Sequence, residues 1–107
     1  MINPHKELQF IADHINEFAN ADANLTSLES FKNAIKALEM QESTQTSMAG
    51  KEMDAYGSLA YQDWSNSYAS AKREYTKLKL QIETAKLKIE VWRSQEASNR
   101  STDKTMR

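Results

Sequence analysis

One segment of this chain constrains its fold more than any other. From Met53 to about Ala97 there is no Pro, and Gly57 is the single Gly. An apolar or small residue recurs along the segment at intervals of three or four residues, which is the spacing of one helix face. The sequence therefore predicts one long helix over about 52–97, roughly 65 Å in length at 1.5 Å per residue.

The apolar face of this predicted helix becomes regular from Tyr68 onward. Apolar residues then alternate at intervals of three and four, which is the heptad pattern of a coiled-coil seam. A second and thinner stripe, formed by Leu80, Leu87 and Val91, widens the apolar face. The seam itself consists of Tyr68, Ala71, Tyr75, Leu78, Ile82, Ala85, Ile89 and Trp92.

The chain before this segment predicts two shorter helices. The first begins after Asn3, which is its predicted N-cap. A polar segment at 20–24 is typical of a turn. Thr26 and Glu29 then form a capping-box pattern that begins a second helix. Because both helices carry apolar stripes with the same spacing, we expect them to form an antiparallel pair over 1–42.

The predicted architecture is therefore a single all-α domain. It has a short antiparallel helical pair at 1–42, a linker at 43–51, a long helix at about 52–97 and a flexible basic tail at 98–107. Two short helices can cover only part of so long a helix, and a hydrophobic content of 39% is low for a self-sufficient core. We expect the uncovered seam to pack in a helical bundle or oligomer, most simply against another copy.

The sequence offers little material for catalysis. It has no Cys, and its two His residues, His5 and His14, do not have the spacing of a metal pair on one helix face. The two Gly are isolated, so no glycine-rich phosphate loop is present. We expect a protein that is not an enzyme and that uses no metal, no other cofactor and no small-molecule substrate.

Targeting signals are also missing from the sequence. No stretch approaches the roughly 20 apolar residues that span a membrane. The N-terminus has no basic segment followed by an apolar core, so it does not resemble a secretory signal. We expect a cytoplasmic protein without a membrane partner.

The net charge of −1 hides an uneven distribution. Residues 1–71 carry 4 basic and 10 acidic side chains, whereas residues 72–107 carry 10 basic and 5 acidic ones. This asymmetry indicates either a polyanion-binding end or a head that pairs with another chain's tail; a Lys-rich solvated helix face is the alternative. Lysines that neutralise phosphates beside rings that stack on bases are typical of single-strand binders. The candidate contacts are Lys79, Lys86, Lys88, Trp92, Arg93 and Arg100.

The segment from Lys86 to Ser94, KLKIEVWRS, resembles phage recombination mediators of the UvsY type. Those are small helical proteins that assemble into rings, bind single-stranded DNA and help to load a recombinase in place of the single-strand-binding protein. Val91 departs from the first aromatic position of the family motif. The matching positions are Lys86 and Lys88 for the basic pair, Ile89 for the apolar residue, Glu90 for the acidic residue and Trp92 for the second aromatic.

This resemblance implies a phage protein that acts in DNA recombination in the cytoplasm of a bacterial host. It implies that Lys86 and Lys88 contact single-stranded DNA, that the protein is a homo-oligomer, and that a recombinase or a single-strand-binding protein is its partner. The alternative is a small helical protein-interaction module, an inhibitor or adaptor that docks its seam on a host protein and binds no nucleic acid.

Overall fold

The structure is a computed structural model that describes residues 1–106. The chain forms three helices: α1 spans Pro4–Glu42, α2 spans Met48–Gly57 and α3 spans Leu59–Met106. No strand occurs among the described residues. The predicted all-α class, with one long helix in the C-terminal half of the chain, is confirmed.

The start of α1 follows the sequence prediction. The side-chain oxygen of Asn3 accepts hydrogen bonds from the backbone N–H groups of His5, at 3.1 Å, and Lys6, at 3.3 Å. These two donors have no partner inside the helix, so the cap satisfies them. Glu7 lies in the first turn, where the helix dipole favours a negative charge.

The predicted turn at 20–24 is wrong, because α1 continues through it. The segment contains no Gly or Pro, and Asn or Asp in a helix costs at most about 0.7 kcal/mol relative to Ala. Burial of Leu25 directly after the segment offsets that cost. Thr26 and Glu29 therefore lie inside a helix and form no capping box, and residues 1–42 contain one long helix rather than a helical pair.

The predicted long helix begins later than expected, because Ser58 interrupts it. The backbone of Ser58 is extended, with φ of −69° and ψ of 153°. Its hydroxyl donates to the carbonyl of Ala55, at 2.7 Å, and accepts from the N–H of Tyr61, at 3.2 Å. One serine thus caps the end of α2 and the start of α3, so the helix is not continuous through Gly57.

The linker between α1 and α2 is shorter than predicted, since α2 already begins at Met48. The hydroxyl of Ser47 caps α2 by accepting from the N–H of Gly50 at 3.0 Å. A Cβ atom at position 50 would lie 2.9 Å from Cβ of Gln45. The close approach of the linker to the first turn of α2 therefore requires glycine.

The C-terminal segment at 98–106, predicted as a flexible tail, is helical in the structure. It contains no Gly or Pro that would end α3. The hydroxyl of Thr102 donates to the carbonyl of Ser98 one turn earlier, at 3.0 Å. The last predicted tail residue, Arg107, lies outside the described residues.

The chain divides into two compact units. The terminal unit combines Met1–Ala19 with the chain from Thr76 onward, and the central unit is Asn20–Tyr75. The terminal unit buries Leu78, Ile82 and Ala85 of α3. The central unit buries Leu25 of α1, Ala55 of α2 and Ala71 of α3.

The seam of α3 is the face that this helix buries within the chain. In the terminal unit the only segment available to cover it is the first half of α1. Four seam residues are buried and the other four are half-buried, in the order Tyr68, Ala71, Tyr75, Leu78, Ile82, Ala85, Ile89 and Trp92. The expectation that only short helices are available to cover the seam is wrong, because α1 is 39 residues long, whereas the seam as an oligomer interface stays a prediction.

Candidate nucleic-acid interface

Four of the six predicted contact residues lie in one row on α3. They recur at every seventh position, and residues seven apart return to the same helix face within about 20°. All four are exposed. At 1.5 Å per residue the row is about 30 Å long, with a cation every 10 Å or so. The cation row consists of Lys79, Lys86, Arg93 and Arg100.

Two carboxylates lie beside the cation row. Glu83 and Glu90 each follow a lysine of the row by four residues and precede the next cation by three. Oε1 of Glu90 lies 3.6 Å from Nη1 of Arg93, and both side chains are more than 60% exposed. Exposed ion pairs of this kind contribute about 0–1 kcal/mol, so a phosphate can displace the carboxylate.

Lys88 lies on a different side of α3. It follows Lys86 by two residues, which places the two side chains about 200° apart around the helix. The Lys88 ammonium is 3.7 Å from Oε1 of Glu7 on α1. The two lysines that the resemblance implies as DNA contacts thus lie on two different surfaces of α3. A polyanion strand that lies along the cation row would contact Lys86 but not Lys88.

Trp92 lies on the seam and is half-buried. It follows Ile89 by three residues and Ala85 by seven, on the face that α3 buries. A half-buried ring offers only part of its face for stacking on a base. Packing between helices explains Trp92 better than a base platform does.

The central unit contains a series of four neighbouring aromatic rings, which we call the aromatic ladder. The spacing of apolar residues in the sequence does not distinguish these rings from ordinary core residues. Neighbouring rings have centroids 5.1, 5.4 and 5.3 Å apart, within the range of favourable aromatic pairs. The signal in the sequence is the recurrence of an aromatic residue every three to five positions between Tyr56 and Tyr68. The ladder consists of Tyr56, Tyr61, Trp64 and Tyr68.

Polar atoms of the ladder hold α1. The indole N–H of Trp64 donates to the carbonyl of Leu28 at 2.7 Å, and the hydroxyl of Tyr68 donates to Oε1 of Glu29 at 3.1 Å. The hydrogen bond to Glu29 raises the pKa of Tyr68, because ionisation would break the bond and place two negative charges together. These contacts fix the register of the two helices in the central unit.

Two lysines of α1 lie over rings of the ladder. The ammonium of Lys32 is 5.8 Å from the centroid of Trp64, and that of Lys36 is 4.9 Å from the centroid of Tyr56. The interaction with Tyr56 raises the pKa of Lys36, and the charge of Glu52, 3.7 Å away, acts in the same direction. Both cations lie over aromatic rings of the central unit and do not extend the cation row of α3.

The structure supplies no metal centre among the described residues, where no group of three or more His, Asp or Glu side chains is arranged to hold an ion. Nδ1 of His14 lies 2.7 Å from the carbonyl of Phe10, and the two rings stack at 4.1 Å. Over the same part of the chain, no helix has the length and hydropathy needed to span a bilayer.

Comparisons with protein-family models, with curated proteins and with solved structures find no match to this chain.

Proposed function

We propose that this protein binds single-stranded DNA as a homo-oligomer and assists the loading of a recombinase in phage-type homologous recombination, in the cytoplasm of a bacterial host. The observation that carries the proposal is the cation row on α3. Exposed Lys79, Lys86, Arg93 and Arg100 share one face of a single helix. A nucleic-acid backbone is the extended polyanion that such a row fits.

A single copy of the row would bind weakly. Each neutralised phosphate of a single strand contributes about 0.7 to the slope of log affinity against log salt, and one row offers four cations. Several copies on one strand would add their contacts through avidity, without any new contact within a copy. This requirement favours an oligomer and makes binding strongly dependent on both salt and copy number.

The mediator role follows from the resemblance of Lys86 to Ser94 and from this kind of binding. A protein that holds a strand by its backbone leaves the bases unread, so it can exchange with another strand-binding protein on any sequence. A recombinase and a single-strand-binding protein are therefore the proposed protein partners. Base stacking by Trp92 is not part of the proposal, because that ring is half-buried.

Fluorescence anisotropy with a labelled oligonucleotide tests the cation row. The variant Lys79→Ala with Arg93→Ala removes two cations of the row, and we expect the salt slope to fall by about 1.4. The matched control is Arg73→Ala with Lys77→Ala, which removes the same charge from α3 outside the row. Equal losses in both variants would mean bulk charge attraction, and no binding by the wild-type protein at low salt would refute the proposal.

One observation favours the protein-interaction module as the second candidate. Leu80, Leu87 and Val91 are 56%, 65% and 46% exposed on one face of α3. An exposed apolar stripe on a helix is a common docking face for a partner protein. A wild-type protein that ignores single strands but binds a host protein through this stripe would support the module over the mediator.

A further inference from the structure

The helix segments of the terminal unit leave one flank on each side of their contact. Lys6 and Phe10 of α1 line a groove on one flank together with Gln81 and Lys88 of α3. Both of these α3 residues directly precede a seam residue, whereas each cation of the cation row up to Arg93 directly follows one. Because one residue is a 100° step around a helix, the cation row lies on the other flank, which we call the cationic flank.

The same rule places two exposed apolar residues of α1 on the cationic flank. Lys6 directly precedes Glu7, a residue of the face that α1 turns toward its neighbours, and lies on the groove side. Leu8 directly follows Glu7, and Ile15 directly follows the half-buried His14. Leu8 and Ile15 are 54% and 53% exposed, and we call them the aliphatic pair.

The aliphatic pair matches two cations of the row in its spacing along the unit. The ion pair between Glu7 and Lys88 brings the start of α1 to this level of α3, so Leu8 lies at about the level of Lys86. Ile15 lies seven residues farther along α1, and Lys79 precedes Lys86 by the same interval. Because the two segments are antiparallel, each residue of the pair stands at the level of one lysine, about 10 Å from the next.

Carboxylates border the cationic flank on its outer side. Glu83 and Glu90 each follow a cation of the row by four residues, which places them about 40° farther from the seam than that cation. On α1, Asp13 and Glu17 each directly precede a half-buried residue, so they lie on the groove side. A polyanion on the row is therefore repelled from the outer edge and directed toward the aliphatic pair.

We infer that Leu8 and Ile15 contact unpaired bases of the strand whose phosphates the cation row binds. A single strand can turn the faces of its bases toward a protein surface, whereas a duplex stacks its bases inside and offers none to the pair. The inference rests on the proposed function and makes the aliphatic pair the part of the site that distinguishes a single strand from a duplex. Aliphatic side chains contact the face of any base, so the pair reads no sequence.

An acidic peptide is the other occupant that cations beside apolar residues attract. A helical peptide is held by a series of apolar anchors on one face. The cationic flank instead offers four exposed cations over about 30 Å and two large apolar side chains about 10 Å apart. The excess of charge contacts over apolar anchors favours the nucleic-acid strand.

Fluorescence anisotropy over a salt series tests the inference. The variant Leu8→Ala with Ile15→Ala should bind a labelled single strand at least about fivefold more weakly than the wild type, because apolar contacts with bases are lost. The salt slope should stay the same, since no phosphate contact is removed. Affinity for a duplex of the same sequence should not change. The matched control is Leu80→Ala with Leu87→Ala, which truncates two exposed apolar residues at the same interval outside the cationic flank and should bind as the wild type does.

A strand of equal length without bases tests the same contact on the wild-type protein. The wild type should bind this abasic strand at least about fivefold more weakly than the normal strand, and no more tightly than the aliphatic-pair variant does. Circular dichroism should show full helicity in the variants, since alanine favours a helix.

The outcomes separate this inference from the proposed function. Absence of wild-type binding to the single strand would overturn both. Unchanged single-strand affinity in the aliphatic-pair variant would overturn the inference alone and leave the pair to an acidic peptide. An equal loss on the duplex or on the abasic strand, or in the control variant, would also overturn it, because the pair would then act without contacting bases.

Discussion

The two units of this chain use different means to hold an antiparallel pair of helix segments together. The central unit joins its helices by directed polar contacts, such as the indole of Trp64 to the carbonyl of Leu28 and the hydroxyl of Tyr68 to Glu29. The terminal unit buries Leu78, Ile82 and Ala85, and an ion pair between Lys88 and Glu7 joins its helix segments.

Polar contacts fix the axial position of one helix segment against the other, whereas apolar burial only holds the two segments together. Apolar contacts are not directional, so a seam of small and branched side chains attracts a partner helix without fixing its axial position. A hydrogen bond is directional, and the one from the half-buried indole of Trp64 to the carbonyl of Leu28 is 2.7 Å long. The central unit therefore fixes the register of its own helix segments, and the terminal unit supplies apolar burial and the exposed cation row proposed for binding.

The largest effect is expected when the apolar contact of the terminal unit is broken. Ile82 is 7% exposed, so Ile82→Asp buries a charge without a partner and should lower the free energy of unfolding by about 3–5 kcal/mol. Leu87, five residues later and 65% exposed, is the matched control, and Leu87→Asp should stay within about 0.5 kcal/mol. Urea denaturation followed by circular dichroism measures both, at concentrations where the wild-type protein is monomeric. Equal effects would show that the seam is not the buried face.

A smaller effect is expected when the register contact of the central unit is removed. Trp64→Phe keeps an aromatic ring in the ladder but removes the hydrogen bond to the carbonyl of Leu28, which should cost about 0.5–1.5 kcal/mol. Hydrogen exchange reports the protection of each segment separately, whereas urea denaturation reports the stability of the chain as a whole. If the hydrogen bond of Trp64 holds only the central unit together, the protection of backbone amides should fall more in that unit than at Leu78 and Ile82. A loss of protection spread evenly over both units would contradict it.

The sequence predicted the parts of this fold that depend on apolar spacing. The seam from Tyr68 to Trp92 is the face that α3 buries. The turn at 20–24 failed because the helix cost of Asn and Asp is small beside the burial of Leu25. The break at Ser58 depends on one hydroxyl that caps the end of α2 and the start of α3. The sequence does not show whether a serine acts in this way or lies inside a continuous helix.

Only part of the candidate site could be predicted, because the sequence shows its residue types but not the contacts between helices that position them. The six candidate contacts of the sequence share residue type and proximity along the chain, whereas the helix separates them by their angle around its axis. Lys79 and Lys86 fall on one face because they are seven residues apart. Lys88 is carried to the opposite side, toward Glu7, and that pairing depends on the register of α1 against α3. Local spacing cannot supply that register, since it depends on contacts between residues far apart in the sequence, such as Glu7 and Lys88.

The smallest effect is expected at the second hydrogen bond between the helices of the central unit, from Tyr68 to Glu29. This effect depends on pH. The pKa of Tyr68 is raised by its hydrogen bond to Glu29, so the bond contributes its full stability below the ordinary tyrosine pKa of about 10. That contribution is lost as the pH rises through the higher pKa of the folded protein. Glu29→Gln keeps an acceptor oxygen but removes the charge, and it should bring the pKa of Tyr68 down toward its ordinary value. NMR titration of tyrosines labelled at the ring carbon that bears the hydroxyl resolves Tyr68 from the other three, with Tyr68→Phe assigning the signal. A Tyr68 titration that Glu29→Gln leaves unchanged would mean that this contact does not hold the register in solution, and the hydrogen bond of Trp64 would then have to set it alone.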